Sequence, residues 1–216
     1  MRVTAERKRE TRRRIVECAR KLFIDNGFGT TTTRDIAEAA GIATGTMFNY
    51  FATKEALAMT IVNDVLDEAR EEFGRRMRGD ETLDEALFAH IAIGLRHLSG
   101  HRHYVGEVLD AALSPFSGDG ICEQAREFRL EHIEMVGSLI GSYASSAGSV
   151  PSAMTMHLYW ALYLGVLSFW AADGSPAQED TLAVLDQSMR LFADSLSSES
   201  TKEREVTDVA DNPENR

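Results

Sequence analysis

Four prolines and two cysteines in 216 residues leave little to interrupt helices and little to cross-link them. Cys18 and Cys122 form no ligand-like cluster and both sit in helical patterns, so the expectation is reduced thiols in a cytoplasmic protein. No apolar run is long enough to span a bilayer, which takes about 20 residues. The most apolar stretch, 158–172, is too short and contains Ser168 and polar-tipped aromatics. The N-terminus is Arg-rich and has no apolar stretch of the secretory kind. No segment alternates with strand period, and no internal repeat stands out. Chemistry is equally sparse. There is no Gly-rich phosphate loop and no nucleophile-elbow motif. Di-iron helical bundles use Glu-x-x-His pairs. Here the residues three before the histidines are Leu87, Gly94, Leu98, Gly100, Arg129 and Met154. The sequence therefore predicts neither an enzyme nor a cofactor, and no membrane partner.

Positive charge is also scarce overall, with 23 Lys and Arg against 34 Asp and Glu and a net charge of −11. Its distribution is uneven. Residues 1–60 hold eleven Lys and Arg against seven Asp and Glu, a net +4, and the remainder carries −15. A basic end can meet phosphates while an acidic body is held off them, which fixes a docking orientation.

Within the basic end lies 33–54, TRDIAEAAGIATGTMFNYFATK. Two helical patterns meet there at Gly41-Ile42-Ala43. Thr32 or Thr33 can cap the first, Asp35 favours its positive end, and Gly41 can take the left-handed conformation that ends it. The second is expected over 44–51, with Met47 and Phe51 sharing a buried face and Thr44, Thr46, Asn49 and Tyr50 pointing elsewhere. A short, neutral face rich in hydrogen-bonding groups suits the major groove of DNA. A helical hairpin with a polar face is the plainer reading.

Gly-Thr-Met-Phe-Asn-Tyr-Phe followed by Ala-Thr-Lys-Glu-Ala-Leu resembles the N-terminal DNA-binding domain of the TetR family of bacterial repressors, over 12–61. The resemblance implies that Arg34, Thr44, Thr46 and Asn49 face base edges, that Thr33, Tyr50 and Lys54 hold phosphates, and that Gly45 belongs to the same DNA-binding set. Arg34 suits guanine and Asn49 adenine; a solvated ion pair with Glu38 is the rival role for Arg34. Phe48 departs from the family's common tyrosine and can offer a thymine methyl contact instead. Arg2, Arg7, Lys8 and Arg9 could reach phosphates, against the plainer reading of a frayed arm.

The rest of the chain also reads as helix, giving an all-α fold of about nine helices: a helix-turn-helix domain at 1–52, a helical effector-binding and dimerisation domain at 53–198, and an acidic disordered tail at 199–216. Thr53 reads as the cap of a long helix to about residue 77 that joins head to body. Loops are expected at 114–120 and 145–152. The helix at 121–147 is expected to bury Phe128, Met135, Leu139 and Tyr143. That at 153–172 is apolar nearly all round and needs covering on two sides. The last helix carries Leu182, Leu185, Met189, Phe192 and Leu196 at coiled-coil spacing. Two such antiparallel pairs could close a four-helix bundle, or both helices could finish the monomer's core. In the TetR family the last two helices commonly form the dimer interface. The resemblance so favours a homodimer through Leu162, Val166, Phe169, Leu182, Leu185, Met189 and Phe192, with two recognition helices about one DNA turn apart on a palindromic operator.

The resemblance further implies a repressor released by a small molecule held in the body. Phe128, Met135, Trp160 and Tyr163 are the candidates to line an apolar or amphipathic effector, though each could be plain core. His97, His101 and His103 lie close in sequence and could bind metal; a solvated junction is the reading adopted, with no metal site. A DNA-binding protein without an effector, controlled by a protein partner or acting architecturally, stays open, and a tightly filled body would favour it.

Overall fold

The computed structural model describes residues 5–113, 122–143 and 151–210; for His103, 109–113 and 197–210 it describes the backbone alone. The described residues form nine α-helices and no strand. These are α1 (Ala5–Asn26), α2 (Thr33–Ala39), α3 (Thr44–Met47), α4 (Lys54–Arg76), α5 (Leu83–Leu98), α6 (Arg102–Leu113), α7 (Glu123–Tyr143), α8 (Ala153–Ala172) and α9 (Glu179–Ala210). None is long and apolar enough to cross a membrane. The expected arm at Arg2, the loop at 114–120 and most of the linker at 145–152 lie outside the described residues.

Helix α1 buries Ile15, Ala19 and Phe23 at four-residue spacing. It stops at Gly27, whose φ of 87° only glycine adopts readily and whose N–H bonds to Phe23 O at 3.0 Å. Phe28 then folds back edge-on to Phe23, with ring centroids 5.3 Å apart. Thr32 caps α2. Its hydroxyl accepts the Asp35 N–H at 3.2 Å, and the Asp35 carboxylate accepts the Thr32 N–H at 2.9 Å. Gly41, at φ 65°, ends α2. Its N–H bonds to Glu38 O and that of Ile42 to Ala37 O, both at 3.0 Å, which is a Schellman motif.

Helix α3 is shorter than the expected 44–51. After Met47 the chain winds on by tighter bonds, with Asn49 N–H to Thr46 O at 3.2 Å and Tyr50 N–H to Met47 O at 2.9 Å. Met47 and Phe51 are both buried, and this tightening keeps them on one core.

Thr53 caps α4, its hydroxyl accepting the Ala56 N–H at 3.0 Å. Leu57, Ile61, Leu66, Ala69 and Phe73 are buried along the whole helix. It packs on α1 in the head and on α5, α6 and α7 in the body, so it belongs to both. A second link runs through α6. The Tyr104 ring lies 5.5 Å from that of Phe23, and the Glu107 carboxylate accepts the Gly29 N–H at 3.1 Å.

Helix α5 sits at the centre of the body, between α4 and α9. The apolar stripe of α9 is spent there: Leu185, Met189 and Phe192 are fully buried against α5 and α8, and Val166 is buried on α8. These four expected dimer residues therefore belong to the subunit's own core. The reason is that α9 has two neighbours to satisfy before it reaches any partner. Leu162 is half-buried, while Phe169 and Leu182 are exposed. So are Met154, Leu158 and Leu191. The expected disordered tail also needs correction over 199–210, which continues α9. Glu, Lys and Arg at 202–205 are good helix formers, and no glycine or proline intervenes before Pro213.

The α8–α9 corner is held by Asp173. Its carboxylate accepts the N–H of Ser175 at 2.7 Å and the N–H and hydroxyl of Thr181 at 3.0 and 2.5 Å. The Thr181 hydroxyl bond, with the other donors, holds the Asp173 carboxyl well below the usual range. Arg102 at the start of α6 donates to the carbonyls of Trp170 (2.8 Å) and Asp173, tying α6 to the same corner.

Candidate nucleic-acid interface and interior cavity

The helix pair α2–α3 presents its polar set outward because the apolar set has no alternative to the core. Ile36, Ala37, Ala40, Met47 and Phe51 are buried. Gly45, Phe48 and Asn49 are exposed, with Phe48 half open to solvent at 50%. Thr33, Thr44, Thr46 and Tyr50 are partly buried. Arg34 is exposed on the first turn of α2, and among the described residues it makes no ion pair with Glu38. The expected readers are thus clustered on the first turn of α2, on α3 and on the turn that follows. The Asp35 carboxyl beside Arg34 is held below its usual range, chiefly by the Thr32 hydroxyl, and so stays charged as part of the cap.

Lys54 has a different position from the one expected. Its ammonium donates to Phe28 O at 2.6 Å and Thr31 O at 3.0 Å, and lies 4.1 Å from the Phe28 ring centre. Two of its three N–H groups are thereby spent on the α1–α2 connection. Two arginines that motif reading passed over also brace the head. Arg14 Nε donates to Ala40 O at 2.9 Å, and the Arg12 guanidinium lies 5.1 Å above the Phe51 ring. Arg9, Arg12, Arg13, Arg20 and Lys21 further line an open groove of about 560 Å³ along α1, with Glu17 and Asp64 as its acids.

Among the described residues, an interior space of about 20 Å³ is lined by Arg70 of α4, His90 of α5, Phe128 and His132 of α7 and Tyr163 of α8, with aliphatic side chains between. That is room for about one water. Of the expected effector contacts, Phe128 and Tyr163 line this space. Trp160 is packed behind it, 5.8 Å from the His132 ring. Met135 lies instead on an open groove between α4 and α7 of about 690 Å³, with Asp67, Arg70, Glu131 and Glu134. The buried face of α7 is Phe128, His132, Val136 and Ile140, so Met135 and Leu139 are only partly covered and Tyr143 only half-buried.

The interior histidines are the residues that sequence reasoning missed. His132 Nε2 bonds to the Tyr159 hydroxyl at 2.9 Å and its ring stacks on Tyr163 at 4.2 Å. Its ring is 5.3 Å from that of His90. Burial pushes His90 down to about 4 and His132 well below the ordinary histidine value, so both are neutral near pH 7. Burial also raises the Tyr159 and Tyr163 hydroxyls. A signal existed: His132 falls four residues after Phe128 and four before Val136, on one helical stripe. The histidines singled out for metal go elsewhere. His97 pairs with Glu72 at 2.7 Å, His101 bonds to the Tyr104 hydroxyl at 2.9 Å, and the His103 side chain lies outside the described residues.

Comparison with known proteins agrees with this geometry. Residues 15–59 match the bacterial regulatory proteins of the tetR family, and residues 86–211 match the tetracyclin repressor-like C-terminal domain. The HTH-type transcriptional regulator HbdR of Aromatoleum sp. (strain CIB) is 34% identical over 88 residues, covering 39% of this chain and 38% of that protein. The HTH-type transcriptional regulator TtgR of Pseudomonas putida is 33% identical over 84 residues, covering 39% and 40%. The chain thus spans about two fifths of the length of the curated relatives it matches. Among solved structures, a TetR transcriptional regulator from Rhodococcus sp. RHA1 covers 86% of this chain and 97% of its own, at TM-score 0.65 and 17% identity. Thermus thermophilus FadR, a TetR family repressor in complex with lauroyl-CoA, covers 84% and 92%, at TM-score 0.60 and 24% identity. The fold is shared with both, and with its two domains matched in order the chain belongs to the TetR family of bacterial regulatory proteins.

Proposed function

We propose that the protein is a sequence-specific transcriptional regulator, not an enzyme, which binds a palindromic operator as a homodimer and is released as a repressor by a small apolar or amphipathic effector. The observation that carries this reading is the exposed polar surface of α2 and α3, held by a capped and glycine-ended α2 on a basic head. Arg34, Thr44, Thr46 and Asn49 are its base readers, Phe48 its thymine contact, and Thr33 and Tyr50 its phosphate contacts. The dimer seam uses the outward stripe of α8, Met154, Leu158 and Phe169, with the exposed Leu182 of α9. The reading places the protein in the cytoplasm, where the DNA is.

Site selection with purified protein on genome fragments, at a stated salt concentration, tests it. The expected product is a palindrome with half-sites about one helical turn apart. Recovery of no enriched sequence rejects it. A second reading, control by a protein partner, gains from the size of the space lined by Phe128 and Tyr163: among the described residues its roughly 20 Å³ admits no effector without rearrangement. Operator affinity that no small molecule alters would select that reading.

A further inference from the structure

Two polar groups in the body interior lack what surrounds them elsewhere in the fold. The His90 ring is 8% exposed and the Tyr163 side chain 4%, and both line the small interior space. Among the described residues neither has a hydrogen-bond partner, whereas the neighbouring His132 and Tyr159 bond to each other. Neither belongs to the sealed side-chain atoms without a partner, which among the described residues are Arg20 Nε, Asn63 Oδ1 and Trp170 Nε1, so the polar atoms of His90 and Tyr163 keep accessible surface beside this space. Leu66, Ile91, Leu95 and Phe128 supply the rest of the wall.

The charge of the space decides what could complete it. Both imidazoles and both phenols are neutral. Arg70 is the one charged side chain on the described wall, and Asp67 and Glu131 pair with it from outside, the latter at 3.3 Å. Arg70 lines both this space and the outer groove between α4 and α7, and so stands between the two. That groove sets Asp67, Glu131 and Glu134 against Arg70, so an anion approaching from it is repelled. A cation passing the carboxylates meets the guanidinium at the throat.

We infer that the space between Arg70, His90 and Tyr163 is the polar end of a site for an uncharged, compact hydrocarbon bearing one hydroxyl or carbonyl group. The hydroxyl of Tyr163 and the ring of His90 make its hydrogen bonds, and the aliphatic wall with Phe128 takes its body. The site holds about one water when closed and widens as Arg70 swings out. The inference rests on reading the body as an effector domain and narrows that effector to a neutral class.

Equilibrium binding to the full chain without DNA, followed by calorimetry, tests it with 4-ethylphenol, cyclohexanone, 4-ethylbenzoate, 4-ethylbenzylammonium and lauroyl-CoA. The expected result is that a neutral probe binds about tenfold or more tightly than the charged ones, and that Tyr163→Phe weakens it about tenfold. Charged probes binding as tightly as neutral ones, no neutral probe binding, or undiminished binding by Tyr163→Phe overturns the inference. If Tyr163→Phe does not fold, the ranking of neutral and charged probes on the unaltered chain decides alone. Neutral binding that leaves operator affinity unchanged upholds the site and removes the release reading instead.

Discussion

Asn49 and Lys54 differ in what each can do for DNA binding. Asn49 is exposed and has no role in the core, so its amide is free to read a base. Asn49→Ala should relax preference at one operator position by about 1–3 kcal/mol and leave melting unchanged; site selection returning the original motif would remove it from the readers. Lys54 is held by two carbonyls and a ring face. Lys54→Ala should lower head stability by about 1–3 kcal/mol, read from denaturant unfolding, and leave the dependence of DNA affinity on salt unchanged. A salt slope reduced by about one with unaltered unfolding would restore it to the phosphate set. The sequence offers both residues as polar positions in a motif. It does not show that Phe28 and Thr31 bring their carbonyls back to Lys54, because that depends on how the connection between α1 and α2 closes.

Helix ends with a capping residue were the most legible elements. Thr32, Gly41 and Thr53 act where the local chemistry of caps places them, and the bounds of α8 coincide with 153–172 as expected. Cap residues act on their own helix, so nothing distant can overrule them. Faces were less legible than ends. The stripe of α9 could meet a partner or its own subunit, and periodicity is the same for both. On α7 the buried line runs through His132, Val136 and Ile140 rather than Met135 and Leu139, which are one residue out of phase with it. Gly41 gives the element-scale prediction. A Cβ there meets nothing within 4 Å, so Gly41→Ala adds backbone strain without a clash. It should destabilise the head by about 1 kcal/mol in thermal melts. Gly106 differs, since a Cβ there would come 3.1 Å from that of Ala171, where α6 crosses α8.

For the whole molecule, two predictions concern its interior and its exterior. His90, at about 4, and His132 stay neutral in the folded chain while the unfolded chain protonates near 6.5. Acidification therefore adds protons to the unfolded state first. The stability present above pH 6.5 should be lost progressively as pH falls toward 4, lowering the melting temperature, and His90→Leu should flatten that decline. A melting curve level over that range would mean that the imidazoles are not buried. Outside, Leu158→Glu places a charge on the exposed stripe of α8. It should shift the protein from dimer to monomer in sedimentation equilibrium, whereas an unchanged mass would move the seam elsewhere. The overall division into basic head and acidic body was legible from charge alone. Which side chains fill the middle was not, because helices α4, α5, α7 and α8, distant in sequence, supply them.

The Glu107 contact makes one backbone amide a gauge. Gly29 belongs to the head, yet its N–H is satisfied by a carboxylate of the body. Its exchange with deuterium is therefore slowed by the engagement of two domains rather than by its own turn. Any event that separates α6 from α1 should quicken exchange at Gly29 while the Gly41 amide, bonded within the head, keeps its rate. That single pair of amides would distinguish movement between the domains from loosening of the head itself.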